Sequence, residues 1–341
     1  MRLKKNTKEL IIHKNEMKMK KIIIENFGGT EKLELKDIEK IIPKKNEVSI
    51  AHKAIGVNYI DIYQRSGIYP INLPSGLGLE ASGIVESIGE DVKNIKIGDR
   101  VCYCNGPVGA YATHNNVPEQ LVLKLPEEIS FSTAAGSLLK GLTTYFLLNE
   151  VFKVKKEHTI LFHAVAGGVG SIAVPWAKAI GAKIIGTVGS DEKKIYAEQR
   201  GCDHVINYNK VSFKEKVLEI TNNDGVPVAY DSIGKVTVND SLDCLSKRGL
   251  LVSFGNASGV VDPINILDLM KKGSLYVTRP TLFDYVKTRK ELENASSEFF
   301  KMLIDKKITI DINQEFKLSE VGKAQESITN RNTKGVTILI P

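Results

Sequence analysis

The sequence predicts an α/β protein in two parts: a mostly-β part of short antiparallel strands, and a doubly wound parallel sheet. Three observations carry this. Residues 20–125 are broken often by Gly, Pro and Asn, and short β-rich runs lie between the breaks. From Thr159 the pattern changes to strand, helix, strand, helix. A glycine-rich turn, Gly167-Gly168-Val169-Gly170, follows the first of these strands and opens a helix.

In the first part the runs are KKIIIENF, EVSIAHKAI, EASGIVESIG, DRVCYC and EQLVLKL. In the second, strands are expected at Thr159–His163, Lys183–Val188, His204–Asn207, Val228–Asp231, Leu250–Phe254 and Leu275–Val277. Helical stretches lie between them near Val169–Ile180, Asp191–Arg200, Phe213–Thr221, Val236–Leu245 and Ile264–Met270. Strands that alternate with helices in this way build a parallel sheet covered on both faces. After Arg279 the pattern reverts to an amphipathic helix, Arg289–Ile304, and short strands that end in Gly335–Pro341. Lys140–Val154 reads as a helix joining the halves. Pro175 falls inside the first helix of the second part, where a kink is expected.

Composition narrows the function classes. The 47 basic and 40 acidic residues are interspersed and leave a net charge of +7. A scattered excess of this kind is a solvated surface and weighs against a nucleic-acid partner. No apolar run approaches the ~18 residues of a membrane span, so no membrane partner is expected. Residues 1–16 are polar and lysine-rich and carry Glu9 and Glu16, which reads as a disordered leader rather than a secretory signal or transit peptide. Cys102, Cys104, Cys202 and Cys244 are too few for a disulfide framework and match a reducing compartment, so the expected location is cytoplasmic.

The strand–turn–helix setting of Gly167–Gly170 is that of a dinucleotide fingerprint. Small residues let the helix amides approach a pyrophosphate, whose charge the helix N-terminus stabilises. The pattern departs from plain G-x-G-x-x-G in that, with Gly170 as the last glycine, Val165 stands where the first would be. The tip of the second strand then selects the cofactor. An NAD enzyme has Asp or Glu there, ~20 residues past the turn. Here the tip reads Thr187-Val188-Gly189-Ser190, with Lys193 and Lys194 following. A hydroxyl and cations without a carboxylate suit the 2′-phosphate of NADPH. Asp191 and Glu192 keep open the alternative that these lysines only solvate a helix face.

These features resemble the medium-chain dehydrogenase/reductase superfamily, and within it the zinc-independent NADPH:quinone oxidoreductases related to zeta-crystallin. The resemblance runs from about residue 17 to the C-terminus. It rests on GVNYIDIYQRSGIYP (56–70), LPSGLGLEASG (73–83), Gly98–Val101, KGLT (140–143), Phe162–Gly170, Ser241–Leu245, LLVSFGN (250–256), GSLYVTRP (273–280) and the C-terminal ILIP. It implies a GroES-like β domain (17–141 with 279–341), a Rossmann domain for NADPH (142–278), a cleft between them, and a homodimer. The cofactor residues implied are Asn58, Tyr59, Lys140, Thr143, Gly167, Gly168, Val169, Gly189, Ser190, Lys193, Tyr208, Ser232, Phe254, Gly255, Asn256, Ser258, Val277, Arg279 and Arg331. The substrate pocket implied comprises Asn58, Asp61, Tyr63, Tyr69 and Arg279, with no side chain assigned as an acid or base.

Zinc members of the superfamily have Cys where this chain has Asn58, and Gly-His-Glu where it has Gly78-Leu79-Glu80. Asn58 and Leu79 are poor zinc ligands, and the cysteines are too few for a structural zinc lobe, so no metal is expected. His163 reads as packing under the phosphate turn, and Arg65 as structural. Without zinc or an acid–base pair the substrate must be easily reduced, and a quinone fits. Two alternatives stay open. One is a reductase of enals, enones or enoyl thioesters, which would make Tyr63 or Tyr69 catalytic. The other is a non-enzymatic NADPH- or RNA-binding role of the crystallin kind.

Overall fold

The computed structural model describes residues 18–341, and the expected leader lies outside them. Two compact units divide the chain. The first runs to Leu138 and takes in Gln314–Asn332 and Thr337–Pro341; the second comprises Leu139–Asn313 and Thr333–Val336. Residues 279–313, which the sequence reading assigned to the β part, therefore fall in the second unit. The cause is Phe299: its ring stacks on Trp176 at 6.1 Å. The same ring lies so close to Gly141 that a Cβ there would stand 2.5 Å away.

The first unit holds two antiparallel sheets. The smaller has the order β2 (Glu34–Glu39), β1 (Lys18–Ile24), β4 (Ser75–Gly76). The larger runs β15 (Ile312–Lys317), β16 (Val336–Ile340), β3 (Glu47–Gly56), β5 (Ala81–Ile88), β6 (Arg100–Tyr103), β8 (Leu123–Lys124), with β7 (His114–Pro118) also paired to β3. Ile50, Ile55, Val85, Val101, Tyr103 and Tyr111 form part of its core. A polar chain crosses this core. His52 Nδ1 meets Ala112 O at 2.7 Å, His52 Nε2 meets the Tyr103 hydroxyl at 3.0 Å, and Asn115 Nδ2 donates to that hydroxyl at 3.1 Å.

The second unit is built on a parallel sheet in the order β11 (His204–Asn207), β10 (Lys183–Val188), β9 (Thr159–Phe162), β12 (Val226–Asp231), β13 (Leu245–Ser253), β14 (Tyr276–Thr278). Numbered within the sheet this is 3-2-1-4-5-6, whose switch point lies between β9 and β12. The first two helices, α3 (Gly170–Ile180) and α4 (Asp191–Gln199), begin at the tips of β9 and β10. Helix α3 runs through Pro175 to Ile180 without interruption. Proline leaves the carbonyl four residues earlier without its helical donor. That carbonyl, Ser171 O, accepts from Arg200 Nε at 3.0 Å. The expected joining helix is α2 (Phe131–Tyr145) followed by a π-helical turn, Phe146–Val151. The wider turn disturbs the backbone ladder, and Asn149 Nδ2 and the Tyr230 hydroxyl take up Tyr145 O and Leu147 O.

Candidate active site

The second unit gathers its expected residues into three groups. The first is the turn after β9. Ala164 takes the left-handed conformation (φ 54°) and its carbonyl accepts from Gly167 N at 2.9 Å. The tight bend thus falls on an alanine, one residue before the position where the fingerprint has its first glycine. Gly170 allows helix and strand to meet: a Cβ there would lie 2.4 Å from Ala164 O and 2.5 Å from Val165 Cα. Gly168 lies under the Lys140 stem, with Cδ and Cε 2.9 Å from a Cβ. Gly167 differs, since a Cβ there would meet only Ala164 O, at 3.3 Å. The turn is packed tightly from below and open at Gly167, where the lack of a side chain lets a pyrophosphate approach the backbone closely. The residues present fit that group.

The second group surrounds the tip of β10. The Tyr208 hydroxyl covers Gly189, 2.7 Å from where a Cβ would stand. Ser190 caps α4, and its hydroxyl oxygen accepts from Lys193 N at 3.2 Å, which leaves the hydroxyl proton to donate outward. Both nearby acids are engaged by lysines from outside the helix. Asp191 pairs with Lys210 and accepts from Asn207 Nδ2 at 2.8 Å, and Glu192 pairs with Lys334 at 2.5 Å.

The third group lies at the ends of β12 and β13. Asp231, 1% exposed, accepts from Ile233 N, Gly234 N, Thr237 Oγ1 and Ser241 Oγ at 2.7–3.0 Å. This holds the loop that starts at Ser232. Gly255 presses on that loop, with Ser232 O 2.4 Å from a Cβ. Ser258 Oγ donates to Ile233 O at 2.8 Å. Arg279 Nη1 donates to Ser253 O at 3.1 Å and Gly255 O at 2.9 Å. With the Asn256 amide oxygen turned toward it, Arg279 Nη2 also donates to Asn256 at 3.2 Å. Phe254 packs on Phe162. Val277 pairs with Leu251 in β14, two residues before Arg279. Thr143 is buried and its hydroxyl donates to Leu139 O at 2.7 Å.

His163 links the three strand tips. Thr187 Oγ1 meets its Nδ1 at 2.8 Å and Ser241 Oγ meets its Nε2 at 2.9 Å. Ser241 spends its proton on Asp231, so it accepts from Nε2–H, and Nδ1 accepts from Thr187. Burial lowers the His163 pKa and Asp231 opposes this. The imidazole is a buried crosslink between Thr187 and Ser241.

In the first unit, helix α1 (Tyr59–Ser66) begins at Asn58. Asn58 N donates to Asp61 Oδ2 at 2.8 Å, and Asn58 Nδ2 donates to Glu80 Oε2 at 2.8 Å. Tyr59, Tyr63 and Tyr69 form a ring series, with centroids 5.6 Å and 5.1 Å apart. Asp61, expected in the substrate pocket, is fully buried and accepts from the Tyr111 hydroxyl at 2.7 Å. Its carboxylate faces the core and closes the helix cap, so it shapes α1 from beneath. Burial first, and then Asp61, hold the Tyr111 pKa well up. Arg65 donates to Gln325 Oε1 at 2.6 Å and to Gly28 O at 3.2 Å. Arg331 follows the helix Val321–Thr329 with φ 59°.

Sequence reasoning missed Glu80, Asp231 and Ser241. Asp231 was visible as an acid ending the apolar run VPVAY. Glu80 was visible as the one charge in LPSGLGLEASG. Among the described residues no group of three or more His, Cys, Asp or Glu is placed to hold a metal ion.

Comparison with known proteins agrees with this geometry. Residues 44–127 match the alcohol dehydrogenase GroES-like domain and residues 168–298 the zinc-binding dehydrogenase family. A quinone oxidoreductase of Salmonella typhimurium is 48% identical, over 94% of this chain and 99% of that one. The structure of Escherichia coli quinone oxidoreductase complexed with NADPH has a TM-score of 0.93 and 47% identity, covering 94% of this chain and 100% of that chain. A 2-haloacrylate reductase of a Burkholderia species is 39% identical over 94% of this chain and 98% of that one. A GroES-like domain with a Rossmann sheet in one chain defines a medium-chain dehydrogenase/reductase. Within that superfamily the chain belongs to the quinone oxidoreductase family.

Proposed function

We propose that this chain is an NADPH-dependent quinone oxidoreductase that works without zinc. The observation that carries the reading is the β10 tip, where Ser190, Lys193 and Tyr208 cluster and each nearby acid is paired with a lysine. The turn amides of Gly168–Gly170 and the α3 N-terminus receive the pyrophosphate. Ser190, Lys193 and Tyr208 receive the 2′-phosphate. The loops held by Asp231 and Arg279 keep the nicotinamide end oriented. Bound there, the nicotinamide supplies the hydride or electrons. Asn58, held by Glu80, offers hydrogen bonds to a ribose hydroxyl or a substrate carbonyl, and Tyr63 and Tyr69 wall a planar ring. A quinone accepts reducing equivalents readily, so orientation and exclusion of water suffice.

The test is cofactor discrimination. A charge-assisted hydrogen bond contributes ~1.5–3 kcal/mol, so Lys193→Ala should raise KM for NADPH about tenfold or more and leave NADH nearly untouched. Equal use of both cofactors by the wild type would defeat the reading.

The Burkholderia relative, a reductase of a 2-haloacrylate, favours a second reading in which an activated alkene is reduced. Tyr69→Phe separates the two. For a quinone it should keep most activity. A loss of about 10²-fold or more, as for a general acid, would favour the alkene.

The absence of zinc rests on Asn58, whose amide is bonded to Glu80, and on the apolar, buried Leu79. One zinc per purified chain would refute it. The homodimer rests on an apolar surface beside the unpaired edge of β14: Tyr276 is 60% exposed, as are Ile266 at 79% and Met270 at 61%. A monomeric mass by sedimentation would refute that. The four buried free cysteines favour a cytoplasmic location.

A further inference from the structure

A hydrogen-bond chain with a single direction crosses the second unit at the tips of β10, β9 and β12. Thr187 Oγ1 donates to His163 Nδ1 at 2.8 Å, His163 Nε2 donates to Ser241 Oγ at 2.9 Å, and Ser241 Oγ donates to Asp231 Oδ2 at 2.9 Å. The carboxylate sets the direction, because it can only accept. All four side chains are buried, where such bonds are electrostatically stronger than in water. The Phe213 ring meets the imidazole edge-on at 5.0 Å and holds its plane. The two ends of the chain serve different parts of the site. At one end, His163 immediately precedes Ala164, the left-handed residue of the dinucleotide turn, and Thr187 O accepts from Val165 N at 3.2 Å. At the other end, Asp231 anchors the loop that starts at Ser232, and its backbone carbonyl accepts from Phe254 N at 2.8 Å. The two loops are clipped together as well: Ser258 N donates to Ile233 O at 2.8 Å, and Ser258 Oγ accepts from Val236 N at 3.1 Å. The turn and the two loops are thus tied through one imidazole.

We propose that His163 is a positioning residue for NADPH: as the Nε2–H tautomer it keeps the dinucleotide turn and the loops after β12 and β13 in register, so that both ends of one cofactor are met at once. The inference rests on the reading of those loops as the nicotinamide end. A ligand that bridges two subsites gains from the second only when their spacing is kept. A ligand that touches one subsite is indifferent to that spacing.

The test is calorimetric titration of the purified, cofactor-free protein with NADPH and with adenosine 2′,5′-bisphosphate, which lacks the nicotinamide end. Thr187→Val keeps the side-chain shape and removes the first donor, leaving His163 Nδ1 unsatisfied. Affinity for NADPH should then fall about tenfold, the scale of one buried unsatisfied acceptor, while that for the bisphosphate changes by less than about twofold. Thr187→Ser should restore NADPH binding. Ser241→Ala should split the two ligands in the same way, and Thr187→Val/Ser241→Ala should lose little more than Ser241→Ala, because both act through one ring. Nitrogen NMR of the His163 ring needs no substituted chain: Nε2 should carry the proton, and the ring resonances should move on adding NADP+ and scarcely on adding the bisphosphate. Equal losses for the two ligands in Thr187→Val, an unchanged NADPH affinity, or a neutral ring protonated at Nδ1 overturns the role of His163 while the cofactor assignment stands. A wild type that binds NADPH no more tightly than the bisphosphate overturns the reading of the loops, and this inference with it.

Discussion

Gly170→Ala should destabilise the cofactor-binding unit and remove most of its dinucleotide affinity. The new Cβ would lie 2.4 Å from Ala164 O and 2.5 Å from Val165 Cα. Both are backbone atoms, so no flexible side chain can swing aside. Ala164 is already left-handed, which leaves little freedom for the turn to widen. Overpacking of this kind costs ~1–3 kcal/mol. Any relief moves the amides that face the pyrophosphate, so binding should fall about tenfold or more. Gly167→Ala is the matched control. Its Cβ would meet only Ala164 O at 3.3 Å, so thermal stability should hold. If a pyrophosphate does approach there, affinity alone should drop. Thermal unfolding and NADPH fluorescence titration read the two effects separately. Wild-type stability and affinity in Gly170→Ala would show that the turn is not under this constraint.

The protein should lose stability as the pH falls from about 6.5 to about 4, and His52 should account for one proton of that loss. Burial pushes its pKa down to about 4; the neighbouring His114 and Lys21 charges push the same way, while the Ala112 and Ala110 carbonyls oppose. Its ordinary value is ~6.5. Between these two values the unfolded chain binds a proton that the folded chain refuses, so unfolding gains on acidification. A depression from 6.5 to about 4 corresponds to about 3 kcal/mol, fully present above pH ~6.5 and lost by pH ~4. The structural reason is the neutral Nδ1–H tautomer, which donates to Ala112 O and accepts from Tyr103. Burial lowers the His163 pKa as well, which adds in the same direction. His52→Gln removes the titration while an amide can still donate and accept. Denaturant unfolding from pH 7 to 4.5 should give a slope shallower by about 1.4 kcal/mol per pH unit in the variant. Parallel slopes would remove His52 from the account.

Local pattern carried much of the architecture because each element of the parallel sheet announces itself over a few residues. The apolar run Thr159–Phe162, the small residues after it and the acid-to-lysine change at α4 are all contiguous. Strands β10 and β11 were bounded correctly for that reason, and β13 was placed five residues short because Leu245–Gly249 is polar in texture. The expected roles near the active site were harder to judge. Asp61 reads as a pocket acid beside Tyr63, yet helix geometry turns it inward to Tyr111, fifty positions away.

By itself, then, the sequence determined the class of fold, the position of the dinucleotide turn, and the want of a carboxylate at the β10 tip, since all three are properties of short stretches. Only the tertiary structure decided what each site residue touches. Glu80 lies beneath Asn58, Arg200 supplies the donor that Pro175 removes from Ser171 O, and Lys334 engages Glu192. These partners are 22, 29 and 142 positions apart. Propensity and periodicity act over one or two turns of chain, whereas a hydrogen bond between distant segments is set by how whole elements pack.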